Sequence, residues 1–266
     1  MKVAIIGAGN LGLAIAKGIL NSNGATSMYL TKRNTEEISK YEKYGNVTVT
    51  SDNREAVEKS DILIFAVQPA QFEQILTDVK DLLNEKHVVI STITGVVISQ
   101  IEAIIGTDHN IIRSMPNTAI SVGKSMTCIC SNEQGKKRIE LAKAIFNRMG
   151  HSMEIPESQM QAATVICASG VAFWMRLIRA TTQGAIQLGF DAKEAQELAM
   201  HTCDGAANLL IESGNHPEAE IDRVTTPKGC TIQGLNEMEH QGLSSSLIQG
   251  IVASYEKISE IKKGEL

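Results

Sequence analysis

Glycines spaced for a phosphate ligand occur at the start of the chain. The run Gly7-Ala8-Gly9-Asn10-Leu11-Gly12 follows an apolar segment, Val3–Ile6, and opens a helical pattern over Asn10–Leu20. The first glycine permits a tight turn, the second lets the backbone approach a pyrophosphate, and the third lets helix and strand pack closely. The helix start adds free N–H groups and a positive dipole end. This context predicts a dinucleotide site at Gly7, Gly9, Asn10, Leu11 and Gly12.

The residues after the second apolar run bear on which dinucleotide binds. Thr31-Lys32-Arg33-Asn34 follow Ser27–Leu30, where an NAD site usually has a carboxylate for the ribose 2′-hydroxyl. Here there is no carboxylate and there are two cations, which favours NADPH over NADH. A second interpretation stays open, in which Lys32 and Arg33 are solvated turn charges.

Two further loops follow apolar runs and carry a proline just past the run. They are Ala66-Val67-Gln68-Pro69 and Ser114-Met115-Pro116-Asn117-Thr118. Proline ends strand pairing and stiffens the loop, and open α/β sheets bind ligands at the carboxyl ends of their strands. Both loops are therefore candidate walls of the same site.

A second candidate anion site lies late in the chain, at Thr225-Thr226-Pro227-Lys228-Gly229-Cys230-Thr231. It precedes a helical pattern, so N–H groups at Gly229, Cys230 and Thr231, with hydroxyls of Thr226 and Thr231, could bind a carboxylate. An ordinary helix start is the alternative. His216, before a proline, is expected to be a turn residue. We find no Ser/His/Asp order, no HExxH and no Cys/His set with zinc spacing, so no metal is predicted.

Eight short apolar runs alternate with helical patterns over roughly the first 155 residues, which predicts a doubly wound α/β domain with a parallel sheet. The predicted strands are Val3–Ile6, Ser27–Leu30, Val47–Val49, Ile62–Val67, His87–Thr92, Asn110–Met115, Ser125–Cys130 and His151–Glu154. One predicted helix carries its apolar face from Phe72 to Leu83.

From about Ser158 the pattern changes to long helices rich in Ala, Leu and Ile. One of them has a cap signal at Asp191 and Glu194 and a stop at Gly214. The apolar stretch Ala162–Met175 has 14 residues, too few to span a bilayer, and needs partners on every side. We predict that this half forms a homodimer core. The alternative is a helical cap on the chain's own sheet domain. The predicted domains are an NADP-binding Rossmann-like domain, 1–156, and an all-α dimerisation and substrate domain, 157–266.

The composition excludes several classes of protein. The 266 residues are 43% hydrophobic and 21% charged with a formal charge of −5, which is ordinary for a folded domain. Without a basic run we expect neither nucleic acid nor a membrane surface as a partner. Five cysteines without a CxxC pair, and a start without a secretory pattern, predict reduced thiols and a cytoplasmic location.

The chain resembles the pyrroline-5-carboxylate reductases over nearly its whole length. The resemblance rests on GAGNLG (7–12), AVQP (66–69), RSMPNT (113–118) and, most specifically, the block 212–248 that contains TTPKGCT. It implies a Rossmann domain and a helical domain that interlocks with its twin, with dimers assembling into decamers in several members. It also implies the last step of proline biosynthesis, the NAD(P)H-dependent reduction of 1-pyrroline-5-carboxylate to L-proline.

The resemblance assigns roles residue by residue. The residues assigned to the pyrophosphate are Gly7, Gly9, Asn10, Leu11 and Gly12. Those around the adenosine and its 2′-phosphate are Thr31, Lys32, Arg33 and Asn53. Those lining the nicotinamide are Ala66, Gln68, Pro69, Met115, Pro116 and Asn117. Those binding the substrate carboxylate are Val224, Thr226, Gly229, Cys230 and Thr231. Thr231 faces the imine end of the ring and is the catalytic candidate.

The chain departs from the family's pattern at several positions. Residues that replace the usual ones are Gln68, Ala119, Val171, Phe173, Lys228 and the run Leu243-Ser244-Ser245. If the backbone needs a positive φ at position 228, Lys is strained there; if not, its ammonium reaches the carboxylate. These departures keep two alternatives open, a reductase of another cyclic imine such as piperideine-carboxylate and a non-catalytic NADP-binding paralogue.

Overall fold

A computed structural model describes residues 1–262 of the chain. Two compact units are present. The first holds Met1–Ser169 and the last described residues from Lys257, and the second holds Gly170–Glu256. Each unit is described by itself below.

The first unit is built on one sheet of eight strands. These are β1 (Lys2–Ile6), β2 (Ser27–Thr31), β3 (Val47–Thr50), β4 (Ile62–Phe65), β5 (Val88–Ser91), β6 (Asn110–Met115), β7 (Ser125–Ser131) and β8 (Gly150–Glu154). Their order across the sheet is β3-β2-β1-β4-β5-β6-β7-β8. The chain runs outward in one direction from β1 and in the other from β4. The predicted doubly wound fold is thereby confirmed, with its switch point between β1 and β4.

One strand pair departs from the predicted parallel arrangement. β6 and β7 are antiparallel, with Met115 opposite Cys128, whereas every other neighbouring pair is parallel. The connection 116–124 contains only a 3₁₀ turn, Thr118–Val122. It is too short for the crossover that a parallel pair requires, so the chain reverses direction.

Helices cover both faces of this sheet. They are α1 (Asn10–Asn21), α2 (Asn53–Glu58), α3 (Pro69–Val79), α4 (Ile98–Ile105), α5 (Ile139–Phe146) and α6 (Met160–Ala163). α1 and α5 enclose one apolar cluster with the sheet, and α3 and α4 enclose the other. Along β1, Val3 and Ile5 enter the first cluster and Ala4 and Ile6 the second, as the alternation of a strand requires. The helix predicted through Leu83 ends at Val79 and gives way to a 3₁₀ turn, Lys80–Leu82.

The second unit is all-helical. Its helices are α7 (Gly170–Gln187), α8 (Ala192–Ser213), α9 (Pro217–Val224), α10 (Cys230–His240) and α11 (Leu243–Lys262), of which the part from Lys257 belongs to the first unit. The cap and stop predicted for α8 are both present. The Asp191 carboxylate accepts the N–H groups of Lys193 and Glu194, and Gly214 has φ 63°. His216 is the N-cap of α9, where its Nδ1 accepts the Glu218 N–H at 3.3 Å.

This helical unit has very little core of its own. Of residues 170–256, all of them described, only Gly170, Thr182, Ala195 and Ala199 are buried. Large apolar side chains point outward, with Trp174 60%, Leu188 83% and Ile211 74% exposed. The helical segment 157–187, whose residues up to Ser169 belong to the first unit, is long and apolar enough to cross a bilayer by length and composition alone. An apolar surface of this extent marks a contact region.

Candidate active site

Two loops meet at the switch point of the sheet. One follows β1 and carries Gly7, and the other follows β4 and carries Ala66 and Val67. A Cβ on Gly7 would lie 2.5 Å from Val67 Cγ1 and 2.9 Å from the Ala66 carbonyl oxygen, and Gly7 has φ +97°. Only glycine fits this contact and this backbone angle. The loops therefore form the crevice in which open α/β sheets bind ligands.

The start of α1 is left uncapped. Gly9, its N-cap, is extended, and no side chain accepts a hydrogen bond there. A Cβ on Gly9 would meet nothing within 4 Å, whereas one on Gly12 would collide with the Gly7 carbonyl oxygen. Gly12 thus packs the helix against the loop, and Gly9 leaves room beside the first N–H groups of α1. This open cradle, which a side chain would fill, fits a pyrophosphate.

Thr31 fixes the glycine loop to the end of β2. Its hydroxyl oxygen accepts the Gly7 N–H at 3.2 Å, and its carbonyl oxygen accepts the Ala8 N–H at 2.8 Å. The side chain is buried. In this structure Thr31 therefore positions the backbone that surrounds the cradle.

The two cations after Thr31 are in different situations. Lys32 Nζ lies 2.5 Å from Glu37 Oε2, and this hydrogen bond and charge lower the pKa of the Glu37 carboxyl. Arg33 is exposed and forms no ion pair with any residue among 1–262. Arg33 is consequently the cation open to a 2′-phosphate, while Lys32 is shared with Glu37. Asn53 is half-buried and begins α2.

The loops expected beside the nicotinamide contrast in burial. Gln68 is exposed and extended, and Pro69 after it opens α3. Met115, Pro116 and Asn117 are buried.

The side chain of Asn117 holds its loop in place. Its Nδ2 donates to the Cys167 carbonyl oxygen at 2.9 Å, and its Oδ1 accepts the Ala119 N–H at 2.9 Å. Its backbone N–H donates to Ser125 Oγ at 3.2 Å. Asn117 therefore ties the end of β6 to the start of β7 and to the helical segment that contains Cys167.

A third loop at this sheet edge was missed by sequence reasoning. It follows β5, between the ends of β4 and β6. The Thr92 hydroxyl donates to the Phe65 carbonyl oxygen at 2.9 Å, and the Thr94 hydroxyl lies 4.0 Å from Met115 Sδ. The available signal was the Thr-Ile-Thr-Gly run at the end of a predicted strand, where Gly95 has φ +88°.

The second candidate anion site is a tight turn followed by a helix start. Gly229 N–H donates to the Thr226 carbonyl oxygen at 2.9 Å, and Lys228 has φ +62°. With Pro227 second and a positive φ third, Thr226–Gly229 is a type II turn, which normally has glycine at the third position. The question left open by the sequence is thus resolved: position 228 does need a positive φ.

The turn changes which N–H groups are available to a ligand. The Gly229 N–H, expected to be free, closes the turn instead. Gly229 is the extended N-cap of α10 without a side-chain cap, so the N–H groups of Cys230 and Thr231 remain uncapped. Thr226 and Gly229 are in close contact, because a Cβ on Gly229 would collide with Thr226 Oγ1. Val224, exposed, ends α9 just before the turn.

Across the residues that the structure describes, no group of three or more His, Cys, Asp or Glu could hold a metal ion.

Two family models match the chain. Residues 157–261 match the pyrroline-5-carboxylate reductase dimerisation model, and residues 2–95 match an NADP oxidoreductase model described as coenzyme F420-dependent. Two curated relatives come from Dictyostelium discoideum. Pyrroline-5-carboxylate reductase 2 is 42% identical, covering 97% of this chain and 92% of the relative. This chain belongs to the pyrroline-5-carboxylate reductase family. Pyrroline-5-carboxylate reductase 1 is 44% identical over 97% of this chain, which spans only 49% of that longer protein.

Solved pyrroline-5-carboxylate reductases share the fold. The enzyme from Coxiella burnetii matches with a TM-score of 0.91 at 29% identity, covering 97% of each chain. That of Plasmodium falciparum, solved with NADP bound, matches with a TM-score of 0.85 at 26% identity, covering 98% of each chain. The resemblance inferred from the motifs is confirmed.

One departure from the pyrroline-5-carboxylate reductase pattern has a structural explanation. Ala119 stands where the resemblance leads us to expect proline, and its N–H donates to Asn117 Oδ1. Proline has no N–H and cannot form this bond. Ala119 therefore adds a contact that holds the Asn117 side chain. Nothing in the structure explains Val171 or Phe173.

Proposed function

We propose that this protein reduces 1-pyrroline-5-carboxylate to L-proline, with NADPH as the preferred hydride donor and NADH as a second one. Family membership supports the reaction class. The observation that supports this choice of substrate is the uncapped start of α10, directly after the Thr226–Gly229 turn. The glycine cradle alone is shared by many dehydrogenases, whereas this second anion site suits a small carboxylate.

The residues of the chain have distinct parts in this proposal. Asn10, Leu11 and Gly12 hold the pyrophosphate, and Arg33 binds the 2′-phosphate. Bound NADPH supplies the hydride. The N–H groups of Cys230 and Thr231 hold the substrate carboxylate.

The Thr231 hydroxyl orients the imine end of the ring, and the proton comes with the substrate or from solvent. No acid–base pair is then needed, because orientation of donor and acceptor supplies most of the rate.

We also propose that the protein is a homodimer built through α7–α11, able to assemble into a higher oligomer, and that it acts in the cytoplasm. The outward apolar side chains of the helical unit support the assembly, since a second copy would cover them. The same copy, rather than lipid, would cover the outward apolar side chains of α7, such as Trp174 and Met175. All five cysteines are free thiols, which suits a reducing compartment. Light scattering in detergent-free buffer would test the proposed oligomeric state, and a stable monomer would contradict it.

The direct test of the reaction is NADPH oxidation by the purified protein with 1-pyrroline-5-carboxylate, with NADH run in parallel. Fast turnover with NADPH preferred is the expected result. Selective turnover of a six-membered cyclic imine would show that this imine, and not 1-pyrroline-5-carboxylate, is the substrate. Tight NADPH binding with no imine turned over would refute the enzymatic assignment.

A variant separates nucleotide binding from folding. Gly9→Ala adds a Cβ that meets no atom of the protein, at a backbone angle that alanine tolerates, so the fold should be kept. That Cβ would stand in the phosphate cradle. We expect the KM for NADPH to rise about tenfold, the equivalent of one charge-assisted hydrogen bond. Gly205→Ala on α8, also open around its Cβ, is the matched control and should leave this KM unchanged.

A further inference from the structure

Two cysteines from distant parts of the first unit lie side by side. Cys128 is on β7 and buried, and Cys167 is half-buried in a π-helical turn, Thr164–Ser169, directly after α6. Their sulfur atoms are 3.8 Å apart and share a thiol hydrogen bond. Neither thiol has a part in the reduction proposed above.

The π turn is the second observation that singles out this pair. A single π turn inserted in a helix is rare, costs regular hydrogen bonding and is frequent at functional sites. Here it lies at the end of the segment that brings Cys167 to β7. The Cys167 carbonyl oxygen is also the one that accepts Asn117 Nδ2.

Both thiols are connected to the loop after β6. Cys167 is bound to Asn117 directly. Cys128 lies on the strand whose first residue, Ser125, accepts the Asn117 N–H. A change in the distance between the two thiols therefore acts on both ends of one residue, which neighbours Met115 and Pro116.

The two thiols of the pair differ in pKa. Donation from the Cys128 thiol lowers the pKa of Cys167 to about 7, and the same bond, with burial, raises the pKa of Cys128. The more acidic thiol is also the more exposed one. A low pKa and access to solvent are what an oxidant-sensitive cysteine needs, and an adjacent thiol can resolve the oxidised product.

We propose that Cys128 and Cys167 form an oxidation site that closes to a disulfide with hydrogen peroxide and thereby loosens the loop that Asn117 holds. The Cys167 thiolate attacks a peroxide oxygen, the O–O bond breaks, and the sulfenic acid and hydroxide form; the hydroxide takes up a proton to give water. The Cys128 sulfur then attacks the sulfenic sulfur, the S–O bond breaks, and a second water leaves with the thiol proton. A dithiol reverses the bond and is itself oxidised to a disulfide.

Closing the bond requires movement. A disulfide holds its sulfur atoms about 2.05 Å apart, so the pair must approach by about 1.8 Å. β7 lies between two strands of the sheet, whereas the π turn is an irregular segment at a helix junction. The movement therefore falls on the π turn and strains the Asn117–Cys167 hydrogen bond. Losing that bond weakens NADPH binding by about fivefold, the worth of one neutral hydrogen bond.

The test uses the full-length protein in its assembled state. It is treated with one equivalent of hydrogen peroxide, free thiols are alkylated, and the non-reduced peptides are mapped by mass spectrometry. We expect a Cys128–Cys167 peptide pair that dithiothreitol abolishes. NADPH affinity is measured by fluorescence without substrate, so the result does not depend on the imine reaction. We expect it to fall about fivefold on oxidation and to recover on reduction.

Variants make the assignment specific. Cys167→Ser should abolish both the cross-link and the change in NADPH affinity. Cys130→Ser, on the same strand and in the same apolar cluster as Cys128, is the matched control and should keep both. The wild-type map decides the question even if a buried variant folds poorly. A Cys167 that stays unlinked, a cross-link to Cys203 or Cys230, or a cross-link that leaves NADPH affinity unchanged would each overturn the proposal.

Discussion

Replacing Lys228 with glycine should stabilise the type II turn Thr226–Gly229, and with it the folded protein. At φ +62° a side chain with a Cβ costs about 1–2 kcal/mol, and glycine avoids this cost. Glycine also loses about 0.5–1 kcal/mol more backbone entropy on folding. The net gain in the free energy of unfolding is then roughly 0.5–1 kcal/mol. For a protein of this size that gain raises Tm by about 1–4 °C.

Two further variants separate backbone strain from charge. Lys228→Ala removes the ammonium but keeps the Cβ, so it should not raise Tm. Asn23→Gly is the matched backbone control. Asn23 has φ 51°, and it is the only other non-glycine residue with a positive φ in the described chain. Asparagine tolerates this conformation at little cost, so Tm should hardly change.

Thermal unfolding at one fixed protein concentration measures these differences, because assembly makes Tm depend on concentration. The KM for the imine measures the charge. If the ammonium helps to bind the carboxylate, Lys228→Gly and Lys228→Ala both raise this KM by the same few-fold factor. Added salt should then bring the KM of the unchanged protein up to that of the two variants. A Lys228→Gly protein that melts no higher than Lys228→Ala would refute the strain argument.

Three further predictions concern other parts of the site. Thr231→Ala should raise the KM for the imine and lower kcat/KM about fivefold, the worth of one neutral hydrogen bond, while Thr231→Ser should restore most of the lost kcat/KM. Wild-type kinetics in Thr231→Ala would remove this residue from the site. Arg33→Ala should raise the KM for NADPH more than Lys32→Ala does, because Lys32 already pairs with Glu37. Arg33→Ala should leave the KM for NADH nearly unchanged, since NADH has no 2′-phosphate. An equal effect of Arg33→Ala on both cofactors would contradict the 2′-phosphate role. Alkylation of Cys167 should accelerate as pH rises through about 7, where its thiolate forms, whereas burial raises the pKa of Cys130 to about 11; mass-spectrometric labelling rates between pH 5 and 9 check this, and a Cys167 rate flat up to pH 8 would contradict it.

Most of the sheet could be predicted because each strand is a short apolar run between turn residues. All eight predicted runs correspond to strands, with ends shifted by at most two residues, as at Val67. The direction of β7 could not be predicted from its periodicity, since parallel and antiparallel strands alternate alike. The length of the connection 116–124 carried that information.

The site was predictable where a backbone angle demands glycine and less so where hydrogen bonds are shared. The glycine cradle could be located from its spacing alone. That Thr31 accepts the Gly7 N–H, and that the Gly229 N–H closes a turn, depend on contacts between residues that no local pattern reveals. The π turn at Cys167 was equally hidden, because its sequence fits an ordinary helix.

The sparse core of α7–α11 has a bearing on inheritance. Outward residues such as Leu188 and Ile211 would behave in mutational scans like interior positions, intolerant of charge although exposed in the single chain. In a cell with two alleles, a copy damaged only at Gly9 would still enter mixed assemblies with the normal copy. A copy damaged at Leu188 would stay out of them and leave the normal copies undisturbed. Lesions in the glycine cradle would thus be able to interfere in trans, whereas lesions that remove the outward apolar side chains of the helical unit would be recessive.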